Sequence, residues 1–265
     1  MPAYNSNSAA PIAVVTGGAG GIGEATVIRL HEDGWRVVVA DRVIGAAQAL
    51  AERVNGFAIE LDIADLASVA AAAARVHAEY GPCHALVACA AHLENPHAPE
   101  DQDMQEWDRI VATNLRGTFV TLTEFGRSML RDGKGAIVTV GSITAMNSSP
   151  LVAYGPSKAA VIAMTRNFAV AWGPRGVRVN CVCPGPTRTP AVEASYARGE
   201  RNPETMRRQT ALGRLVRPAE VADTIAYLLS ERASAITGVT IPVDSGVMAA
   251  QLWNLYGGVP MPDAS

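Results

Sequence analysis

The chain has 265 residues, 49% hydrophobic and 18% charged, which is ample for a full core and too apolar for disorder. A net charge of −3 removes the case for nucleic acid, whose phosphates call for a basic face. No run approaches the roughly 20 uninterrupted apolar residues of a membrane helix, and the opening MPAYNSNSAA has neither the basic nor the apolar stretch of a secretory leader, so a cytoplasmic location is expected.

The first expected strand, residues 12–16, ends on Thr16 and runs into GGAGGIG before a helix over 22–33. Gly18, Gly20 and Gly23 satisfy G-x-G-x-x-G, while Gly17, Gly21 and Gly23 satisfy the looser T-G-x-x-x-G-x-G. In both readings the missing side chains let backbone amides and the helix start approach a pyrophosphate. The second strand, 36–40, is closed by Asp41. A carboxylate there can accept both adenosine-ribose hydroxyls and would repel a 2′-phosphate, which favours NAD over NADP. The adjacent Arg42 is a counter-signal, because a guanidinium can hold that phosphate.

A helix over 45–54, a strand over 56–61, a helix over 66–80 and a strand over 85–88 follow in strict alternation. The polar loop His92-Leu-Glu94-Asn-Pro-His97 has some metal-site residue types, but Pro96 prevents a helical ligand pair and no P-C-x-x-C follows. No metal is expected; the loop belongs at the substrate mouth, with His92 as a candidate to face substrate. Within the helical pattern over 104–130, Asn114 is a poor helix former and calls for a specific partner.

The strand over 136–140 ends in Gly141-Ser142, whose hydroxyl can bridge a substrate oxygen and a nearby tyrosine. Twelve residues on, Tyr154-Gly-Pro-Ser-Lys158 opens a helix reaching 172; Pro156 requires it to start near 151–154. Tyr154 and Lys158 are four apart and share a face. An ammonium there favours a phenolate over the free phenol, whose pKa lies near 10. Of the 22 basic residues only Lys134 and Lys158 are lysines, and a compact ammonium suits this task better than a guanidinium fork.

A strand over 178–182, a Pro- and Arg-rich stretch over 187–211 in the position of a mobile substrate lid, a helix over 219–229 and a strand over 239–243 complete the alternation. The tail over 249–265 carries Leu252, Trp253, Leu255 and Tyr256, expected to dock on this subunit or a neighbouring one. None of the four cysteines forms a C-x-x-C pair, and all sit in or beside apolar runs as small buried residues. Repeated β-α-β without a linker reads as one α/β domain over 1–265: a Rossmann-like, doubly wound parallel sheet of about seven strands with helices on both faces.

Taken together, these residues resemble the short-chain dehydrogenase/reductase family over nearly the whole chain. Thr16-Gly17-x3-Gly21-Ile22-Gly23 is similar to its cofactor fingerprint, Asp62-Ile63 to its adenine-contacting pair, and Asn114, Ser142, Tyr154 and Lys158 to its catalytic tetrad. NCVCPGPTRT, residues 180–189, resembles the segment that touches nicotinamide through Pro184, Gly185, Thr187 and Thr189. LGRLVRPAEVA and ITGVTIPVDSG resemble the family's last helix and strand.

The resemblance implies hydride transfer between nicotinamide and a secondary alcohol or ketone, with Tyr154 as acid/base. Lys158 would lower its pKa and hold the ribose, Ser142 would orient the substrate oxygen, and Asn114 would support a water-linked proton path. It further implies a homotetramer with the helices over 104–130 and 152–172 in one interface. Three departures stand out. Ala88-Cys89-Ala90-Ala91 replaces the usual N-N-A-G, leaving Cys89, Ala90 and Ala91 only backbone contacts to a cofactor. The Ser142 to Tyr154 spacing is one residue shorter than is common. Asp244-Ser245-Gly246 stands for D-G-G. Polyols, sugars, cyclic alcohols, dihydrodiols and hydroxy acids all fit as substrates. The alternatives are an NADPH-dependent 3-oxoacyl thioester reductase, docking an acidic carrier on Arg198, Arg201, Arg207 and Arg208, and a non-catalytic dinucleotide-binding regulator.

Overall fold

Continuous Val, Ile and Ala runs put apolar side chains on both faces of a strand, so each strand needs cover on both sides. The computed structural model, which describes residues 10–199 and 202–260, meets that need with a single layered sheet. Strands β1 (Ile12–Thr16), β2 (Arg36–Asp41), β3 (Phe57–Glu60), β4 (Cys83–Ala88), β5 (Gly135–Val140), β6 (Val177–Pro184) and β7 (Thr240–Val243) are all parallel, in the order β3-β2-β1-β4-β5-β6-β7. The order reverses between β1 and β4, and a crevice opens beyond the carboxyl ends of strands at such a point.

The helices are α1 (Gly21–Glu32), α2 (Ile44–Arg53), α3 (Leu66–Glu79), α4 (Met104–Ile110), α5 (Thr118–Asp132), α6 (Tyr154–Trp172), α7 (Pro190–Ala197), α8 (Pro203–Arg208), α9 (Pro218–Leu229) and α10 (Val247–Ala250). Alternate residues of β1 serve opposite faces: Val14 joins Leu86, Ile137, Phe125 of α5 and Phe168 of α6, while Val15 joins Val39, Val138, Leu30 of α1 and Ile225 of α9. The period-2 geometry of a strand makes that division. None of the helices among the described residues is long and apolar enough to cross a membrane.

Four departures from the sequence-based elements have local causes. β4 starts at Cys83 rather than 85, because the Ile12 amide donates to Nδ1 of His84 at 3.1 Å and the ladder continues past an irregular register. β6 runs on to Pro184, paired with Val243. The helix expected over 104–130 is not uniform: a π-helical stretch, Val111–Gly117, joins α4 to α5. The stretch over 187–211 holds two short helices, each with proline at its start and a side-chain cap, Thr189 for α7 and Asn202 for α8. In the tail, Leu252, Leu255 and Tyr256 are exposed, so these side chains do not dock on their own subunit, whereas Trp253 lines a shallow cavity with Ala211, Val259 and Pro260. Residues 261–265 of that tail lie outside the described residues.

A charged side chain fastens the far end of the sheet. The guanidinium of Arg178 on β6 donates to the carbonyls of Leu228, Leu229 and Ser230 at 2.7, 3.2 and 3.1 Å, and to Ile236 at 3.3 Å. It caps the C-terminus of α9 from another strand, where a cation also meets the negative end of the helix dipole. Burial pulls its pKa down, with Glu231 acting in the opposite sense. Arg178→Ala is expected to lower unfolding free energy by about 2–3 kcal/mol by orphaning those carbonyls, and Arg178→Lys to recover only part, lacking the planar fork. Urea unfolding checks this; an unchanged midpoint for Arg178→Ala would refute it.

Candidate active site

The glycine turn after β1 is built on close backbone approach. Gly17 has φ +62°, and a Cβ there would lie 2.7 Å from Cα of Ala90. A Cβ on Gly23 would lie 2.0 Å from the Gly17 carbonyl oxygen. Gly20, the N-cap of α1, has open space where a Cβ would stand and provides no side-chain cap. A helix start without a side-chain cap, entered through a glycine turn, fits an anionic group such as a pyrophosphate. Ile22 packs against the inner core.

Asp41, at the end of β2, closes over this turn. Its Oδ2 accepts from the Ala19 amide at 3.0 Å and its Oδ1 from the Val43 amide at 3.0 Å. Arg42 beside it is exposed. The sheet under the turn has lost the side-chain amides that the resemblance leads one to expect, yet it is still braced. Thr16 Oγ1 accepts from the amides of Cys89 and Ala90 at 3.2 and 3.4 Å. A hydroxyl on β1 therefore does for residues 88–91 what their own side chains cannot; Ala91 is exposed. Asp62 caps its own turn through the Ala64 amide, at 2.9 Å, while Ile63 is a core side chain.

Ser142, Tyr154 and Lys158 come together where β5 ends. Ser142 starts a short 3-10 turn and accepts from the amide and hydroxyl of Thr144 at 3.2 and 2.8 Å. Tyr154 is the first residue of α6, and Lys158 stands one turn on, 2% exposed. Lys158 Nζ donates to the Val140 carbonyl at 2.8 Å and lies 5.6 Å from the Tyr154 ring centroid. Asn114 is one step removed, in the π-helical stretch. Its Oδ1 accepts from the His92 amide at 2.7 Å, and its Nδ2 donates to the His92 carbonyl at 3.0 Å and to Ser157 Oγ at 3.2 Å. The specific partner expected of this asparagine is therefore the loop after β4. The His92 ring pairs with Glu106, Nε2 to Oε1 2.7 Å.

The electrostatics differ from the sequence-based expectation. Burial pushes the Tyr154 phenol well above its ordinary pKa, the Cys89 thiol adds to this, and a hydrogen bond with Ser142 opposes it without prevailing. Burial likewise pulls the Lys158 ammonium down, against the thiols of Cys89, Cys181 and Cys183. Both shifts disfavour the charged form. Burial thus favours the neutral phenol over the phenolate and the neutral amine over the ammonium.

The segment after β6 reaches the glycine turn. Gly185 donates to the Val243 carbonyl at 2.9 Å, and a Cβ on it would lie 2.6 Å from Cβ of Asp244. Thr187 is buried, bonded to the Gly185 carbonyl at 2.9 Å. The Thr189 methyl would lie 3.3 Å from a Cβ on Gly21, so the start of the 187–211 stretch lies beside the start of α1. Of the four arginines considered as a carrier dock, Arg207 and Arg208 both pair with Glu204, whose carboxyl they hold down to about 2; Arg201 lies outside the described residues.

The sequence marks Glu94 only as one residue of a polar loop at the substrate mouth. Its carboxylate is buried and accepts from the amides of Ala153 and Tyr154. A signal was present: α6 begins after Leu-Val-Ala, with no Ser, Thr, Asp or Asn at its N-cap, so its cap had to come from elsewhere.

A family model described as enoyl-(acyl carrier protein) reductase matches residues 17–248. A cis-4-hydroxycyclohexanecarboxylate dehydrogenase of Sinomonas cyclohexanicum is 39% identical over 90% of this chain and 96% of its own length. A galactitol 2-dehydrogenase of Rhizobium johnstonii is 38% identical over 88% and 93%. A solved structure of a protein named ribose-5-phosphate isomerase, from Brucella melitensis, superposes with a TM-score of 0.93 at 44% identity, covering 96% of this chain and 98% of that one.

The polar ties of Asn114 generate a stability test. Asn114→Ala leaves the partly buried His92 amide and carbonyl without their partner, and is expected to cost about 1–3 kcal/mol in urea unfolding. A loss below about 0.5 kcal/mol, the size of an ordinary surface substitution, would show that the bridge to the β4 loop contributes little.

Proposed function

The chain belongs to the short-chain dehydrogenase/reductase family and is an NAD(P)-dependent alcohol dehydrogenase/ketoreductase, and we propose that it uses NAD to oxidise a secondary alcohol of the polyol or cyclic-alcohol class to the ketone. The observation that carries this is Tyr154 and Lys158, one helical turn apart at the end of β5, beside Ser142 and the open glycine turn. Both dehydrogenase relatives are named for substrates bearing a secondary hydroxyl, and the preference extends that chemistry to this chain.

Gly17, Gly21, Ile22 and Gly23 would hold the dinucleotide's phosphates, Asp41 its ribose hydroxyls, and Asp62, Ile63, Cys89, Ala90 and Ala91 its adenosine side. Pro184, Gly185, Thr187 and Thr189 would line the nicotinamide. When bound, nicotinamide accepts or gives the hydride at C4. Ser142 Oγ and the Tyr154 hydroxyl hold the substrate oxygen between them. In oxidation Tyr154 takes the alcohol proton as the carbon loses hydride; in reduction the phenol gives it back to the forming alkoxide. Lys158, buried against Val140, holds the ribose and brings positive charge near the phenol. Asn114 steadies the loop beside them.

A carboxylate at Asp41 disfavours a 2′-phosphate, which supports NAD. The occupied Arg207 and Arg208 weaken the case for an acidic carrier. We further propose a single catalytic domain that works as a homotetramer, to be checked by light scattering.

A screen of polyols, cyclic alcohols and hydroxy acids followed by NADH absorbance tests the reading. Steady NAD reduction is expected with at least one; none would rule the function out, and an isomerase or a regulator would leave the absorbance flat. NADH is expected to outperform NADPH, and a reversed preference would overturn the assignment to Asp41. Tyr154→Phe is expected to lower kcat by about 10²–10⁴-fold, the size of a lost acid/base group, with dinucleotide affinity retained. The raised phenol pKa gives the pH sign. Reduction uses the protonated form and holds through neutrality, while oxidation needs the ionised form and climbs about tenfold per pH unit below that pKa. An oxidation rate flat between pH 6 and 9, about three units, would contradict it.

A further inference from the structure

The loop after β4 holds a carboxylate that the chemistry above does not use. Glu94 sits between exposed Leu93 and Asn95, yet its side chain is only 1% exposed. Burying a carboxylate is costly unless its oxygens are well supplied with donors. Here the donors are the opening amides of α6: Ala153 N reaches both oxygens at 3.1 Å, and Tyr154 N reaches Oε2 at 2.7 Å. Nε2 of His97 lies 3.6 Å from Oε1. The N-cap residue itself, Ala153, has no oxygen to offer. A helix cap normally comes from the residue at the helix start; this one comes from 60 residues away, and its shortest bond is to the amide of Tyr154.

The loop is fixed at its other end as well. Asn114 grips both backbone polar groups of His92, and the His97 amide donates to the Pro150 carbonyl at 3.3 Å. Residues 92–97 therefore form a strut from the π-helical stretch to the first turn of α6. Without Glu94, that turn would retain Lys158 as its tie to β5 and the Ser157 hydroxyl on the Tyr154 carbonyl, but would lose the bonds to its two opening amides.

We infer that Glu94 is a positioning residue for Tyr154, anchoring its backbone so that the phenol meets the substrate oxygen in the reacting geometry. This rests on the proposed acid/base role of Tyr154. A cap that served stability alone would change the melting point and leave turnover of the folded enzyme untouched. Displacing a reacting group by about 1 Å can cost on the order of 100-fold.

The test uses two variants of the full chain. Glu94→Gln keeps shape and one acceptor oxygen while presenting an amide nitrogen to a donor; Glu94→Ala removes both acceptors. With the best alcohol from the screen, kcat is expected to fall about 10-fold in Glu94→Gln and about 100-fold in Glu94→Ala, below the unfolding temperature of each. Dinucleotide affinity, from fluorescence titration with NADH, is expected to stay within about twofold, against the roughly tenfold steps that 1.4 kcal/mol makes. Amide exchange across residues 150–158 is expected to quicken in Glu94→Ala. If that variant does not fold, Glu94→Gln alone decides. Retention of full kcat, or loss of NADH affinity in step with kcat, overturns the proposal. Should the wild type turn over no alcohol, the functional reading fails by itself: quickened exchange at 150–158 then still supports the anchor, and unchanged exchange refutes it.

Discussion

The buried ammonium of Lys158, bonded to the Val140 carbonyl, ties the first turn of α6 to the end of β5. The meeting of the β5 end with the start of α6 rests on that bond. An ammonium out of water needs its donors satisfied at close range, and the strand end provides the Val140 carbonyl. Small residues make the approach possible. A Cβ on Gly141 would lie 2.6 Å from Cys183 Sγ and 3.0 Å from Cys181 Sγ, so only glycine lets β5 end against these thiols. Cys181 and Cys183 are wholly buried on β6, with sulfurs 3.8 Å apart. They wall off water, and burial lowers the affinity of the amine for its proton while raising that of the phenol.

Around this bond, a few polar side chains do the joining that the sheet ladder cannot. Thr16 holds the amides of Cys89 and Ala90 where the usual asparagines are missing. Asn114 holds the next stretch of the same loop, and Glu94 carries it across to Tyr154. The π-helical stretch is the backbone counterpart of this arrangement: the wider turn over Val111–Gly117 carries Asn114 at full burial, bonded to the loop and to Ser157 rather than to its own helix. Such wider turns cluster at functional sites. Each of these ties is at least partly buried, so each is worth more than an exposed one and costs more when half of it is removed.

The altered Ala88–Ala91 segment shows how one contact can be exchanged for another. The segment has no side-chain amides of its own, so its backbone N–H groups need partners from elsewhere under the glycine turn. Thr16 takes two of them, and Gly17 lies so close to Ala90 that the two segments pack backbone to backbone. The crevice is therefore held without the family's usual braces.

The order of strands and helices was legible in the sequence because periodicity is local: runs such as Val37-Val38-Val39 declare a doubly buried strand wherever they stand. The glycine turn, Asp41, Ser142, Tyr154 and Lys158 were legible for the same reason, since each sits at an element boundary. The caps of α7 and α8 were present as Thr189-Pro190 and Asn202-Pro203, though a stretch dense in proline and arginine hid them. Tertiary structure alone decided the rest. Arg178 capping α9, Glu94 capping α6 and Thr16 bracing Cys89 join residues 50 to 73 apart, and no local pattern records such pairs. The state of the Tyr154 phenol belongs with them. Spacing can put an amine one turn away, but how far both groups are stripped of water depends on what the folded chain packs over them.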